Sequence, residues 1–548
     1  MRLTAKAQTK HIGNAQGASI PAPVEGWDTV SPLANMSPKR AVALENWIPR
    51  PGWIELRRGF QLKSATAEDS PVETLMAYNG KGSVNQLFSI VNGTVYDCAT
   101  STAVATTVTG LTNSRAQHKM FSNNSDTQYL IFCNGADTPK IYNGTVWADL
   151  NVTGTGINQD NFICLTSYKG RLWFVETDST TPCYMDVGAI SGTASQFPLG
   201  SLMTKGGYVQ AIGNWTIDTR QTVDEYLAFI TSRGQVIVYE GTNPASADNW
   251  TLTGVYDIGP PIGRRCLLRI AGDLLIICVD GVLPMSQMLS TDRAAANRSS
   301  VTSIIMNAMA QAAQSYKNFW GWQFMEYAKG TLAILNIPTV ENSAQMQFCM
   351  NTLTGAWCKF TGINANCWEV DVTDNIYFGG NDGKVYRWDV GPSDYIENIT
   401  ADVKTAFNYF GDRGHLKRWT MLQPLINSDG QVNPSIGINV NFRSDAVLST
   451  PSTTQPAGAL WDSPLSQWDI STWPTDNQQS PNWISITGLG QCASVETRVV
   501  SGQPNLETIG LWGDAEWGVG EWSTLSTNSI TLQLNGWNIV HEKSTGFI

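Results

Sequence analysis

At 548 residues the chain exceeds what one hydrophobic core usually serves, which predicts two or three domains. Charged side chains make up only 15% of it while Gly (49) and Trp (21) are plentiful, a composition that suits turns, strands and neutral contact surfaces, and equally an extracellular binding protein. Acidic residues outnumber basic ones by 46 to 35 for a net charge of −11, with no run of Lys or Arg; this argues against a phosphate-clamping surface and is compatible with a wall past which nucleic acid slides, or with plain solubility.

Residues 1–65 hold Pro21, Pro23, Pro32, Pro38, Pro49 and Pro51 among Gly26, Gly52 and Gly59, so no long regular element runs through them. They read as an extended arm in which Ser37-Pro38 offers a helix start and Ala41, Val42 and Leu44 one short helix. Trp27, Trp47, Ile48 and Trp53 are too apolar for a free tail and are expected to dock on the body or on a neighbouring subunit.

Over 66–395 a unit recurs in which a short apolar strand meets a turn ending in Gly and then a β-branched or aromatic strand. The turns are Asn92-Gly93, Asn143-Gly144, Lys169-Gly170, Arg233-Gly234, Asp280-Gly281 and Asp382-Gly383. Asn-Gly and Asp-Gly supply the positive φ angles of a two-residue hairpin, and the spacing predicts β-propeller blades. An array of β-sandwiches uses the same hairpins and stays open. One stretch, 299–316, lacks Gly and Pro and places Ile305, Met309, Ala312 and Tyr316 on one face, predicting a helical insertion that packs on its own domain or meets a partner.

Beyond residue 395 the pattern turns to alternating strands: Ile399, Ala401 and Val403; Ile436, Ile438, Val440 and Phe442; Trp483, Ile484 and Ile486; Leu532 and Leu534. Between them, 450–482 reads as a long contact loop bearing Trp461, Trp468 and Trp473. The fold class is therefore mainly β: an arm over 1–65 docking on a β-rich platform over 396–548, with a propeller-like domain over 66–395 between them.

No motif points to catalysis, a cofactor or a metal, and the chain is not expected to be an enzyme. The four histidines, His11, His118, His415 and His541, have no second ligand at metal spacing. Gly154-Thr-Gly156 and Gly488-Leu-Gly490 lack the third glycine of a phosphate-binding loop. Glu240, Asp257, Asp371 and Asp374 lie near strand ends, where acids cap turns; a glycosidase pair among such carboxylates depends on what folding brings together. Ten cysteines (98, 133, 164, 183, 266, 278, 349, 358, 367 and 492) occur singly, several in apolar runs, and read as reduced, buried thiols of a protein made in a cytoplasm. Without a signal sequence at Met1-Arg-Leu-Thr or an apolar stretch of bilayer length, no export or membrane span is expected, and Asn-Gly-Thr sequons such as Asn92-Gly-Thr94 read as a turn entering a strand.

The run from Pro21-Ala-Pro-Val-Glu-Gly-Trp27 through Ala41-Val-Ala-Leu-Glu-Asn-Trp47 to Arg58-Gly-Phe60 resembles the opening of tail structural proteins of short-tailed bacteriophages. Ala406-Phe-Asn-Tyr-Phe-Gly411 with Lys417-Arg-Trp-Thr-Met-Leu-Gln-Pro424, and Leu534-Asn-Gly-Trp-Asn-Ile-Val-His-Glu542, look similar to the same proteins. The resemblance implies a tail nozzle or hub: a homo-oligomer, typically a hexameric ring, that closes the DNA channel, retains the packaged genome and opens for ejection. It further implies an adaptor or tail tube protein and tail fibres or spikes as neighbours, double-stranded DNA passing without sequence-specific binding, and a place in the virion tail after assembly in the host bacterial cytoplasm. The competing expectations are a carbohydrate-binding or glycosidase propeller of the tail and a head-to-tail adaptor.

Overall fold

The computed structural model describes residues 15–82, 85–218, 223–270, 272–288, 300–428, 434–449, 478–479, 483–501 and 531–547. These are mainly β-strand and divide into two compact units, one drawn from residues 1–57, 356–358 and 397–548 and the other from 58–355 and 359–396.

The second unit is a β-propeller, with seven antiparallel blades among the described residues. Blades 1 to 7 begin with the inner strands Val72–Asn79, Gln117–Ser122, Phe162–Tyr168, Val209–Asp218, Leu267–Ile270, Gln323–Tyr327 and Cys367–Val370. Each inner strand lies beside the next, and the seventh returns to the first. All six Gly-ending dipeptides fall at hairpin turns inside blades; Asn92-Gly93 and Lys169-Gly170 have positive φ at both positions (46° and 74°, 47° and 71°), the geometry that matches strand twist.

Apolar seams join the blades. Met76, Phe88 and Ile90 of blade 1 pack on Leu130, Phe132 and Tyr142 of blade 2, and Trp173 of blade 3 stacks on Trp250 of blade 4 with ring centroids 5.7 Å apart. Between blades 6 and 7 the seam is polar and centred on Asn336, which accepts from Trp368 Nε1 (3.0 Å) and Gln347 Nε2 (2.8 Å) and donates to the carbonyls of Gly321 and Ala365. A buried amide bonded on both sides fixes one packing of the two blades, because any shift leaves it unpaired in a low dielectric.

Blade 7 takes its outer strand from far away in sequence. Phe60–Ala65 pairs antiparallel with Lys384–Trp388, so residues expected within the arm instead close the ring. The physical reason is the open edge left at Lys384–Trp388, which an extended segment covers with main-chain hydrogen bonds. The blade 7 to blade 1 seam is completed by Val72, Leu75, Cys367 and Val385.

The helical insertion is present as a 3-10 turn, Ser303–Ile305, followed by the α-helix Met306–Tyr316; Ser299 lies outside the described residues. Ile305, Met309 and Ala312 are buried and Trp322 Nε1 donates to the Tyr316 carbonyl at 2.9 Å, so the apolar face packs on the propeller's own strands.

The first unit weaves its N-terminal and C-terminal strands together. Ala15–Pro21 pairs antiparallel with Leu532–Phe547, which also pairs with His415–Ser428 and with Trp53–Leu56. A second set places Glu397–Thr405 between Ala41–Glu45 and Ala493–Ser501, and Ser435–Val440 pairs with the latter. The short helix expected at Ala41, Val42 and Leu44 is instead the strand Ala41–Glu45. Helix propensity loses here because Ser37–Arg40 forms a turn (Arg40 N–H to the Ser37 carbonyl, 3.0 Å) that delivers the next residues to the edge of Glu397–Thr405.

The expected alternation holds along Ile399, Ala401 and Val403, all buried, and at Leu532 and Leu534. It stops before Phe442, which is 39% exposed with φ of 64° in a turn after Val440. Trp483 is also largely exposed, one residue ahead of the strand Ile484–Gly490. The contact loop expected over 450–482, with Trp461, Trp468 and Trp473, lies outside the described residues except for the short strand Gln478–Gln479.

Candidate functional site

The carboxylates singled out in the sequence are not brought together as a reacting pair. Glu240 and Asp257 sit at opposite ends of one hairpin, facing Thr251 and Gln235 respectively, and Asp257 pairs with Lys205 at 3.0 Å. Asp371 caps a turn, accepting from the Thr373 and Asn375 N–H groups at 2.8 and 2.9 Å, and Asp374 is the positive-φ residue of that turn. Burial pushes the Asp371 carboxyl up, but the hydrogen bonds from Thr373 and Asn375 outweigh it and hold the group below its usual value. All ten cysteines are buried free thiols. Among the histidines, His11 lies outside the described residues, His118 pairs with Glu369 (3.3 Å) and His415 with Asp412 (2.8 Å).

Two constellations remain, one in each unit. In the unit built from the terminal strands, Trp47, Trp419 and Trp537 are fully buried, and Trp537 Nε1 donates to Thr497 Oγ1 at 3.0 Å. Trp27 is held by its indole N–H on the Val42 carbonyl (3.2 Å) and its main-chain N–H on the Trp357 carbonyl (2.7 Å). Asn46, at φ of 60°, accepts from Arg57 Nε at 2.8 Å and donates to the Thr400 carbonyl at 2.7 Å. An Asn tolerates the left-handed region, and this one uses it to tie three segments together.

In the same unit Lys417, fully buried, donates to the main-chain carbonyls of Asp412, His415 (3.3 Å) and Gln491 (3.1 Å). Lys543 and His415 hold the Asp412 carboxyl well below the usual carboxylate range. His541 is buried against Phe410 (5.4 Å between ring centroids), and burial followed by the charges of Lys417 and Lys543 lowers its pKa. A neutral imidazole is what such surroundings select.

In the propeller, all seven inner strands contribute to an axial cavity of about 280 Å³. Its charged lining is cationic: Lys119, Arg264, Arg265 and Arg269, with His118 among them and no carboxylate in the wall. Arg265 Nη2 donates to the carbonyls of Glu73 (3.0 Å) and Ala116 (3.2 Å) and to Thr74 Oγ1 (3.0 Å), while its guanidinium lies 4.7 Å from the Trp320 ring centroid. Arg265 Nη1 is buried without an acceptor, and among the described residues no ion pair or hydrogen bond reaches the Lys119 ammonium. Burial, then the charge of Arg269, pushes the Lys119 pKa down. Sequence reading missed this cluster, since its members come from two blades, His118-Lys119 in one and Arg264-Arg265 with Arg269 in the other; alternation along a propeller's inner strand is the local sign that a side chain faces the axis.

No family model matches the chain, and no curated protein does. Among solved structures it is similar to BBS1N in complex with ARL6DN, at 10% identity and a TM-score of 0.37 over 61% of this chain and 98% of that one. The extracellular domain of a one-component system from B. thetaiotaomicron matches at 10% identity and 0.39 over 81% and 63%. The β-propeller domain of Cps50 (Swd1) from Myceliophteria thermophila matches at 11% and 0.38 over 60% and 99%. The propeller assignment rests on the strand pairing described above.

Proposed function

We propose that the chain is a structural subunit of a bacteriophage tail nozzle or hub, in which copies close into a ring, a hexamer by resemblance, that retains the packaged genome and opens for ejection. One observation carries the reading. Of the three stretches that resemble tail proteins, 21–60, 406–424 and 534–542, all but residues 58–60, which lead into the propeller strand Phe60–Ala65, belong to one folded unit, where Pro21 faces Gly536 and Pro424 faces Trp537 across adjacent strands. A likeness that gathers in one unit is what a shared assembly platform would leave in a sequence.

Side-by-side packing of such platforms under rotational symmetry makes a tube, and release is then a conformational step that needs no bond chemistry. The unit also leaves apolar side chains in solvent, among them Val447 at 88% and Leu489 at 65% exposure, which a neighbouring copy would cover. Adaptor or tube proteins and fibres would meet the ring at its two ends, within the virion tail. Electron microscopy of the purified chain and of the particle that contains it tests the reading. Hollow rings, and density for the chain at the tail tip, are the expected result; a monomeric propeller that cleaves or binds saccharide overturns it in favour of a carbohydrate-active component.

A further inference from the structure

We propose that the axial cavity of the propeller binds a small multivalent oxyanion of the phosphate class, with Lys119, Arg264, Arg265 and Arg269 as its ligands. The cavity stands on the propeller alone and is independent of the tail reading. A chain with net charge −11 gathers four cationic side chains, Arg269 among them exposed, around one cavity of about 280 Å³ that no carboxylate lines among the described residues.

Like charges repel one another, and the nearest carboxylates, Glu369 on His118 (3.3 Å) and Glu73 on Arg115 (2.9 Å), are already paired elsewhere, which leaves the cluster net positive. One donor is already waiting: among the described residues no hydrogen bond or ion pair reaches the Lys119 ammonium, whereas the Arg265 guanidinium is buried and held through Nη2. Trp320 lies against Arg265 on one side and Arg115 at 5.4 Å, which orients the Arg265 fork without consuming Nη1. Arg115 itself is spent on Glu73 (2.9 Å) and Glu341 (2.5 Å), so it is not a ligand.

The required ligand must carry at least two negative charges and several acceptor oxygens in a compact volume. A monocarboxylate leaves most of the cluster unneutralised, whereas phosphate or pyrophosphate offers oxygens on all sides to the planar guanidinium forks and the mobile ammonium. Nucleic acid duplex is excluded by size, since the major groove alone is about 12 Å wide. Arg264 also lines a second cavity of about 330 Å³, together with Arg115, Lys317 and Asp178.

Isothermal titration calorimetry of the full chain at low ionic strength, with inorganic pyrophosphate, inorganic phosphate and citrate, tests this. One saturable site per chain is expected for pyrophosphate, weaker for phosphate and weakened by added salt. Lys119→Met and Arg269→Gln each weaken pyrophosphate by about tenfold or more, and Lys119→Arg restores most of the binding. Arg269 is exposed at its strand end and bonded only to Thr216, so its variant keeps the fold, which far-UV circular dichroism verifies. Absence of saturable binding at millimolar pyrophosphate overturns the proposal. So does an affinity unchanged in both variants, and citrate bound as tightly as pyrophosphate refutes the phosphate class.

Discussion

Phe60→Ala tests whether the strand Phe60–Ala65 clasps the ring. Phe60 is only 9% exposed and meets Phe378 and Tyr386 edge-on, with centroids 4.9 and 5.1 Å apart, so its ring fills the centre of blade 7. Burying a Phe and then truncating it costs about 3 to 5 kcal/mol, including roughly 0.5 to 1.5 kcal/mol for each aromatic pair lost. The ladder to Lys384–Trp388 is made by main-chain groups and survives the substitution, so the low end, about 3 kcal/mol, is the expected loss. Because the chain has two units, one global unfolding free energy is not well defined, and hydrogen exchange resolved along the sequence is the suitable assay. Amides of blade 7, including Tyr395 N–H on the Phe60 carbonyl, should exchange roughly a hundredfold faster, since each 1.4 kcal/mol is tenfold. Val104→Ala, on an outer edge strand and 63% exposed, is the control and should change nothing measurable. Acceleration spread evenly over all blades, or none in blade 7, refutes the clasp.

Two titrations follow from burial and pairing. Burial pushes the Cys98 thiol up to about 11 and the Cys183 thiol up to about 12, so both stay protonated in the fold at neutral pH. A thiol reagent at pH 8 should therefore label none of the ten cysteines in the native chain and all of them in denaturant; rapid native labelling would show the cores open. An acid whose folded pKa is raised contributes stability that is present below its unfolded value near 8.5 and lost as pH rises toward the folded one, so the denaturation midpoint should drop between about pH 8.5 and 11. Asp412 has the opposite sign: held low by Lys543 and His415, it contributes stability present above the unfolded value of about 3.9 and lost as pH falls. Asp412→Asn should lower the melting temperature at pH 7 and flatten its decline into acid, and an unaltered acid limb in the variant would refute that assignment.

The sequence by itself determined what is local. Glycine after Asn, Asp, Lys or Arg marked six hairpins because positive φ is nearly free only for Gly, and an Ala- and Met-rich run without Gly or Pro marked the helix Met306–Tyr316. Period-two burial at Ile399, Ala401 and Val403 was equally legible, since alternation is a property of the strand alone. Tertiary structure decided everything that depends on residues distant in the chain meeting. Ala41–Glu45 became a strand because Glu397–Thr405 offered it an edge, and Phe60–Ala65 joined the propeller because Lys384–Trp388 did the same. Lys119, separated from Arg264 by more than a hundred residues, entered one cavity with it because ring closure turns one face of every inner strand toward a common axis. Such pairings depend on the balance of loop entropy against main-chain hydrogen bonds and buried area, which no window of neighbouring residues records.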